Sequence, residues 1–247
     1  MKIAIISDMH GNCLALDTVL ADIQRDSIDQ IVCLGDAIQG GPQPSQVVSR
    51  LRELAFPVVL GNADDWLLTG YDSGAEKMSE ERRRKLDIVR DWQLTQLSED
   101  DLAFIKTFKP TIELPAGSEY TLLCYHGSPH SFDDVILPTT TDEEIRTYLE
   151  PSDTTIYTGG HTHMQFVRHL GRTFHFNPGS VGFAYRHDQP DDVFHADSWA
   201  EYALLSITDG RFELTFRRAP YDVEALINIY RGSGRPFADE AIQQYSV

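Results

Sequence analysis

The chain opens with a continuous apolar run, Lys2-Ile3-Ala4-Ile5-Ile6, of the kind that forms a strand buried on both faces. Polar residues Ser7-Asp8-Met9-His10-Gly11-Asn12 end it, and Leu16, Val19, Leu20 and Ile23 then recur at helical spacing, with Asn12 placed to cap the helix. The alternation repeats. Gln30-Ile31-Val32-Cys33-Leu34 reads as a second buried strand, ending in Gly35-Asp36 and the loop Gly40-Gly41-Pro42-Gln43-Pro44. A helix over 45–54 leads to a third strand, 56–60, which ends in Gly61-Asn62-Ala63-Asp64. Strands separated by helices predict parallel pairing with right-handed crossovers, and so an α/β fold.

Residues 76–108 read as helical, charged and without motif, apart from a cap at Ser98-x-x-Asp101. The only basic cluster, Arg82-Arg83-Arg84-Lys85, would cover every face of a helix and mostly meet solvent. From residue 110 the pattern turns to β. A strand over 120–125 ends at His126-Gly127-Ser128-Pro129, and Thr141 caps a helix running to about 149. Thr154 to Thr158 leads into Gly159-Gly160-His161-Thr162-His163, then two short strands around Phe166 and Phe174, then Asn177-Pro178-Gly179-Ser180. A polar stretch over 186–197 precedes a hairpin, 202–208 and 212–218, turned at Asp209-Gly210. A helix over 222–230 and a polar tail follow. With no repeat and no long linker, the expectation is one domain over 1–247, containing two sheets, a helical insert (76–108) and a C-terminal hairpin and helix (201–231).

The 247 residues carry a formal charge of −17, from 38 acidic and 21 basic side chains. Such a surface repels the backbone of long duplex nucleic acid and anionic membranes, although bound cations can reverse the field locally for a small anionic substrate. Cys13, Cys33 and Cys124 lie in or beside apolar runs and read as reduced core residues. Neither a leader peptide nor an apolar run near the ~20 residues of a membrane span is visible, so the expected setting is cytoplasmic.

Where the strands end, chemistry collects: Asp8, His10, Asp36, Asn62, His126, His161 and His163. Side chains alternate along extended backbone, so Asp8 and His10 point the same way. The C-terminal ends of parallel strands share one crevice, the usual ligand position of open α/β sheets. Carboxylates, imidazoles and an amide without thiolate suit a borderline divalent metal such as manganese, iron, nickel or zinc. Seven donors exceed one ion with an open position but suit two ions sharing a carboxylate. Such a pair activates water and clamps a phosphoryl group for in-line attack.

The ordered blocks Asp8-x-His10, Gly35-Asp36, Gly61-Asn62-x-Asp64, His126-Gly127 and Gly160-His161-x-His163 resemble the calcineurin-like metallophosphoesterases. The resemblance spans residues 2 to about 181. It implies a four-layer α/β/β/α sandwich of two mixed sheets and a dinuclear centre. Asp8, His10, Asp36 and His163 would hold one ion, and Asp36, Asn62, His126 and His161 the other, with Asp36 bridging. Asn62 and His126 count among the catalytic candidates as well. Many members have a histidine, thought to contact phosphate and assist the leaving group, where this chain has Ala63. Asp64 is the nearest replacement acid, or else it orients a ligand. Small branches that lack this histidine look like phosphodiesterases, so the expected activity is hydrolysis of a small phosphate diester or nucleotide. A phosphomonoesterase (phosphoprotein phosphatase or dinucleoside polyphosphate hydrolase) and a catalytically silent scaffold are the alternatives. Arg186 reads as a distal phosphate contact or a surface residue, and His130, His169, His175, His187 and His195 fit no block.

Overall fold

The computed structural model describes residues 1–71, 78–190 and 194–245. Strand β1 (Lys2–Ile6) divides its side chains by alternation between two cores, Ala4 and Ile6 on one face and Ile3 and Ile5 on the other. The first face is covered by α1 (Cys13–Ile23) and, beyond β2 (Gln30–Cys33), by α2 (Pro44–Leu54), whose Val47, Val48 and Leu51 join Leu16 and Val19. Asn12 caps α1, its Oδ1 accepting from Ala15 N at 3.0 Å. β1 and β2 pair in parallel, with Ile3 opposite Gln30.

The expected third strand is reduced to two parallel bridges, Cys33 with Val58 and Val59 with Lys109. Pro57 has no amide to contribute to a ladder. The chain then enters α3 (Asn62–Thr69), a helix the sequence pattern does not announce because it starts on the strand-end residues themselves. The helical stretch expected over 76–108 is two helices, α4 (Glu80–Gln96) and α5 (Glu99–Ile105), divided where Ser98 caps the second. Residues 76 and 77 lie outside the described residues. Arg82, Arg83 and Arg84 meet solvent, while Lys85 pairs with Glu240 at 2.9 Å.

The β region supplies β3 (Ile112–Ala116), β4 (Tyr120–Cys124), α6 (Asp142–Tyr148), β5 (Thr155–Thr158), β6 (Gln165–Leu170) and β7 (Thr173–Pro178). The hairpin is β8 (Trp199–Thr208) and β9 (Arg211–Pro220), turned through Asp209 and Gly210 with φ of 49° and 69°. Positive φ at both central residues matches the twist of the strands. Two mixed sheets result, ordered β2-β1-β8-β9 and β3-β4-β5-β7-β6. They face each other through Ile3, Ile5 and Val32 on one side and Leu122, Ile156 and Phe176 on the other. α6 covers the outer face of the second sheet, where Ile145 and Leu149 meet Tyr157 and Phe166. Helix, sheet, sheet, helix is the expected layering.

After α7 (Val223–Ser233) the tail expected to be polar forms α8 (Ala238–Gln243), and Ala241, Ile242 and Tyr245 join the first core. Three apolar residues in five positions are too few for a sequence signal, so their burial is a tertiary decision. The three cysteines are free and buried. Among the described residues no helix is long and apolar enough to cross a membrane.

Candidate metal centre

Every strand-end block reaches one end of the facing sheets, and the backbone there is bent to turn side chains inward. Asp8, His10, Asp36, His161 and His163 all have φ between 45° and 68°. Non-glycine residues adopt that region at a cost and hold it where surrounding structure over-determines it. Ser7 Oγ donates to Asp8 Oδ2 at 2.5 Å, and Ser180 Oγ donates to the Asp8 carbonyl at 2.8 Å. A Cβ at Gly160 would overlap Ser7 Oγ, and one at Gly61 would overlap Asp36 Oδ1, so both glycines are close-approach positions.

Two groups of donors form. Asp8, His10 and His163 offer atoms within 4.8 Å of one another, and so do Asp36, His126 and His161. Asn62 joins the second group, its Oδ1 3.0 Å from His126 Nε2. Asp36 Oδ2 lies between the groups, 3.3 Å from His126 Nε2 and 3.8 Å from His10 Nε2.

The hydrogen bonds behind the rings decide what the front faces offer. Nδ1 of His10, His126 and His163 lies 2.9, 2.9 and 2.8 Å from the carbonyl oxygens of Gln39, Leu34 and Phe183. A carbonyl only accepts, so each Nδ1 carries a proton and each Nε2 is the nitrogen turned to the centre. His10 Nε2 and His163 Nε2 are 3.0 Å apart, and Asp8 Oδ1, 3.3 Å from the latter, is buried with no hydrogen-bond partner among the described residues. Two imidazole nitrogens and a carboxylate oxygen packed this closely call for positive charge among them, a proton on His163 or a metal ion in its place. The residues therefore fit a divalent ion at each group.

The electrostatics agree. Burial pushes the carboxyls of Asp8 and Asp36 up, but His163 beside the first and His126 beside the second win, and both are held below the usual range. Burial pulls His126 down, and Asp36 and Asp8 outweigh it to push its imidazole up to about 10. A centre that holds protons so tightly is short of positive charge. His161, lowered to about 4 by burial and the neighbouring His126, stays neutral and available as a donor.

Asp64 sits elsewhere. It is fully buried, its Oδ1 accepting from Ala37 N at 3.0 Å and Ile38 N at 3.1 Å, and its Oδ2 from Gly61 N at 3.4 Å. Burial and the charge of Asp36 push its carboxyl up to about 7, yet it faces the loop that carries Asp36 and does not line the cleft. Ala63 contributes its amide, which donates to Asp36 Oδ1 at 2.8 Å. The Asn177-Pro178-Gly179-Ser180 stretch supports the centre from behind. Asn177 Nδ2 donates to the Gly160 carbonyl at 2.6 Å, and Ser180 Oγ accepts from Phe183 N at 2.9 Å, placing the carbonyl that orients His163. Arg186 pairs with Asp188 at the surface. None of His130, His169, His175, His187 or His195 joins a donor group among the described residues.

His10, Asp36, Asn62, His161 and His163 form the floor of a cleft of about 810 Å³ whose walls come from α3, α4 and the C-terminal segment, including Trp66, Arg82 and Phe237. These walls were not legible in the sequence, where α4 lacks a motif and the tail lacks a pattern.

Fold and centre together define a metal-dependent phosphoester hydrolase, and the chain belongs to the calcineurin-like phosphoesterase superfamily, whose domain matches residues 1–201. The phosphodiesterase YfcE of Escherichia coli K12 is 28% identical over 194 residues, covering 73% of this chain and 79% of YfcE. The uncharacterized protein MJ0912 of Methanocaldococcus jannaschii is 28% identical over 244 residues, covering 90% of this chain and 88% of its own. In fold, the chain resembles a metallophosphoesterase from Sphaerobacter thermophilus, with a TM-score of 0.70 at 23% identity over 98% of this chain and 97% of the other.

Proposed function

We propose that the chain hydrolyses a small phosphodiester or nucleotide with two divalent ions. One would be held by Asp8, His10, Asp36 and His163, the other by Asp36, Asn62, His126 and His161. The observation that carries this reading is the pair of donor groups back to back, with Asp36 Oδ2 between them and Asp8 Oδ1 left without a partner among the described residues. Similarity to a phosphodiesterase supports the diester class. Oxygen and imidazole donors suit manganese, iron, nickel or zinc. When bound, such ions lower the pKa of water at the site and neutralise phosphoryl charge.

The chain's own residues bind and orient. Leu34, Gln39 and Phe183 carbonyls fix the imidazole rings, so the donors need little reorganisation when an ion arrives. Asn62, partly exposed on the cleft floor, faces the substrate as well as the centre. His126, buried behind it, orients rather than touches substrate. A cleft of about 810 Å³ has room for a nucleotide-sized ester, whereas a long duplex would meet the net charge of −17.

The test is hydrolysis of bis-p-nitrophenyl phosphate and p-nitrophenyl phosphate in parallel, by metal-stripped protein with manganese, nickel, zinc or magnesium restored. Diester turnover that returns with metal and is lost in Asp36→Ala is the expected result. Turnover of the monoester alone would replace the diester reading with a phosphatase. Absence of turnover with two ions bound would leave a binding scaffold.

A further inference from the structure

The loop from Ala37 to Gly41 carries the carbonyl of Gln39 that orients His10, and its polar backbone is gripped by three side chains from distant parts of the chain. Asp64 takes the amides of Ala37 and Ile38, as described above. Gln93, fully buried on α4, accepts from Gly40 N at 3.2 Å through Oε1, and its Nε2 donates to the Ile38 carbonyl at 3.2 Å and the Gly41 carbonyl at 3.5 Å. Arg235, in the segment between α7 and α8, donates from Nε to the Gly40 carbonyl at 2.6 Å and from Nη1 to the Pro236 carbonyl at 2.8 Å. Its guanidinium lies 5.7 Å from the centre of the Tyr230 ring. The loop in turn abuts the ligand: a Cβ at Gly41 would overlap the carbonyl of His10, and His10 N donates to the Asp36 carbonyl at 2.9 Å.

These contacts are unevenly distributed. Leu34 and Asn62, which meet the His126 ring, lie outside the 37–41 loop. Gln93 and Arg235 bond the loop beside His10 and no residue of the second donor group. We infer that Gln93 and Arg235 are positioning residues for His10, tuning the ion site of Asp8, His10 and His163 and leaving the site of Asp36, His126 and His161 alone. The inference rests on the two-ion reading above. The helix without a motif and the polar tail thereby act together, walling the cleft and also setting the aim of a donor on its floor.

The experiment measures manganese and zinc affinity by calorimetry, with one donor group disabled at a time. In the His161→Ala background the His10 group is read, and in the His10→Ala background the other. Gln93→Met keeps the volume and the helix while deleting all three hydrogen bonds, and Arg235→Lys keeps the charge while losing the planar fork. Each is expected to weaken binding about ten- to a hundredfold in the first background and less than about threefold in the second. Gln93→Met also leaves loop amides and carbonyls without partners and so lowers metal-free melting, a loss common to both backgrounds that their comparison cancels. Equal loss in both backgrounds, or loss in neither, overturns the inference. Arg235→Lys, at a partly exposed position, keeps the test open if Gln93→Met does not fold. Failure of the unsubstituted chain to bind either ion would overturn the two-ion reading itself, an outcome distinct from normal binding that Gln93→Met leaves unchanged.

Discussion

Asp64 and Ala63 decide what kind of leaving group the centre can expel. Asp64 spends both oxygens on backbone amides, and Ala63 presents a methyl group at the position where many relatives of this fold are expected to carry a histidine. With no proton donor at that position, kcat across a series of aryl phosphodiesters should fall steeply as the leaving-group pKa rises, and a flat dependence would sink this view. Asp64→Asn should leave that slope as it is and destabilise the fold by about 1–3 kcal/mol, because an amide nitrogen would then oppose a backbone N–H. Denaturant unfolding together with the leaving-group series checks both halves. Sequence spacing singled out Asp64 as an acid or an orienting group. Only the turn into α3 determines which way its carboxylate points.

Among the elements, β7 carries a further liability. His175 is 1% exposed, its Nδ1 2.9 Å from Tyr125 Oη, and burial, then Arg168, push its imidazole down to about 3. The unfolded chain takes up a proton near pH 6.5 and the folded chain does not, so the unfolded state binds more protons and stability is lost as pH drops from about 6.5 to about 3. By pH 5 the loss from this group should be about 2 kcal/mol relative to neutral pH. His175→Gln should flatten the difference in unfolding free energy between pH 7 and pH 5 by that amount, measured in urea. An unchanged slope would mean that the buried imidazole titrates normally. Long apolar strands and capped amphipathic helices were legible because each carries its own periodicity, as with Asn12 before α1 and Ser98 before α5. α3 and α8 were not, since one begins inside a strand-end motif and the other is six residues long.

At the scale of the molecule, two buried carboxylates and four imidazoles meet where both sheets end, in a chain of charge −17. Ions that bind only the folded state stabilise it by about 4 kcal/mol per site at a thousand times Kd. For a chain of this size each 1 kcal/mol raises Tm by about 2–4 °C, so manganese or zinc at that excess should raise Tm by at least about 8 °C over stripped protein in a calorimetric scan. A change of no more than a degree or two would argue against tight sites. The family, the layered α/β architecture and the choice of the seven candidate donors that the fold brings together were legible in the sequence itself. Strand periodicity is local, and polar groups after parallel strands have one common crevice to enter. Tertiary structure alone decided that Asp64 turns away, that Ser180 and Asn177 brace the centre, and that Gln93 and Arg235 reach its loop from far along the chain. Those contacts join residues whose spacing carries no period, so nothing in one dimension distinguishes them from solvated polar side chains.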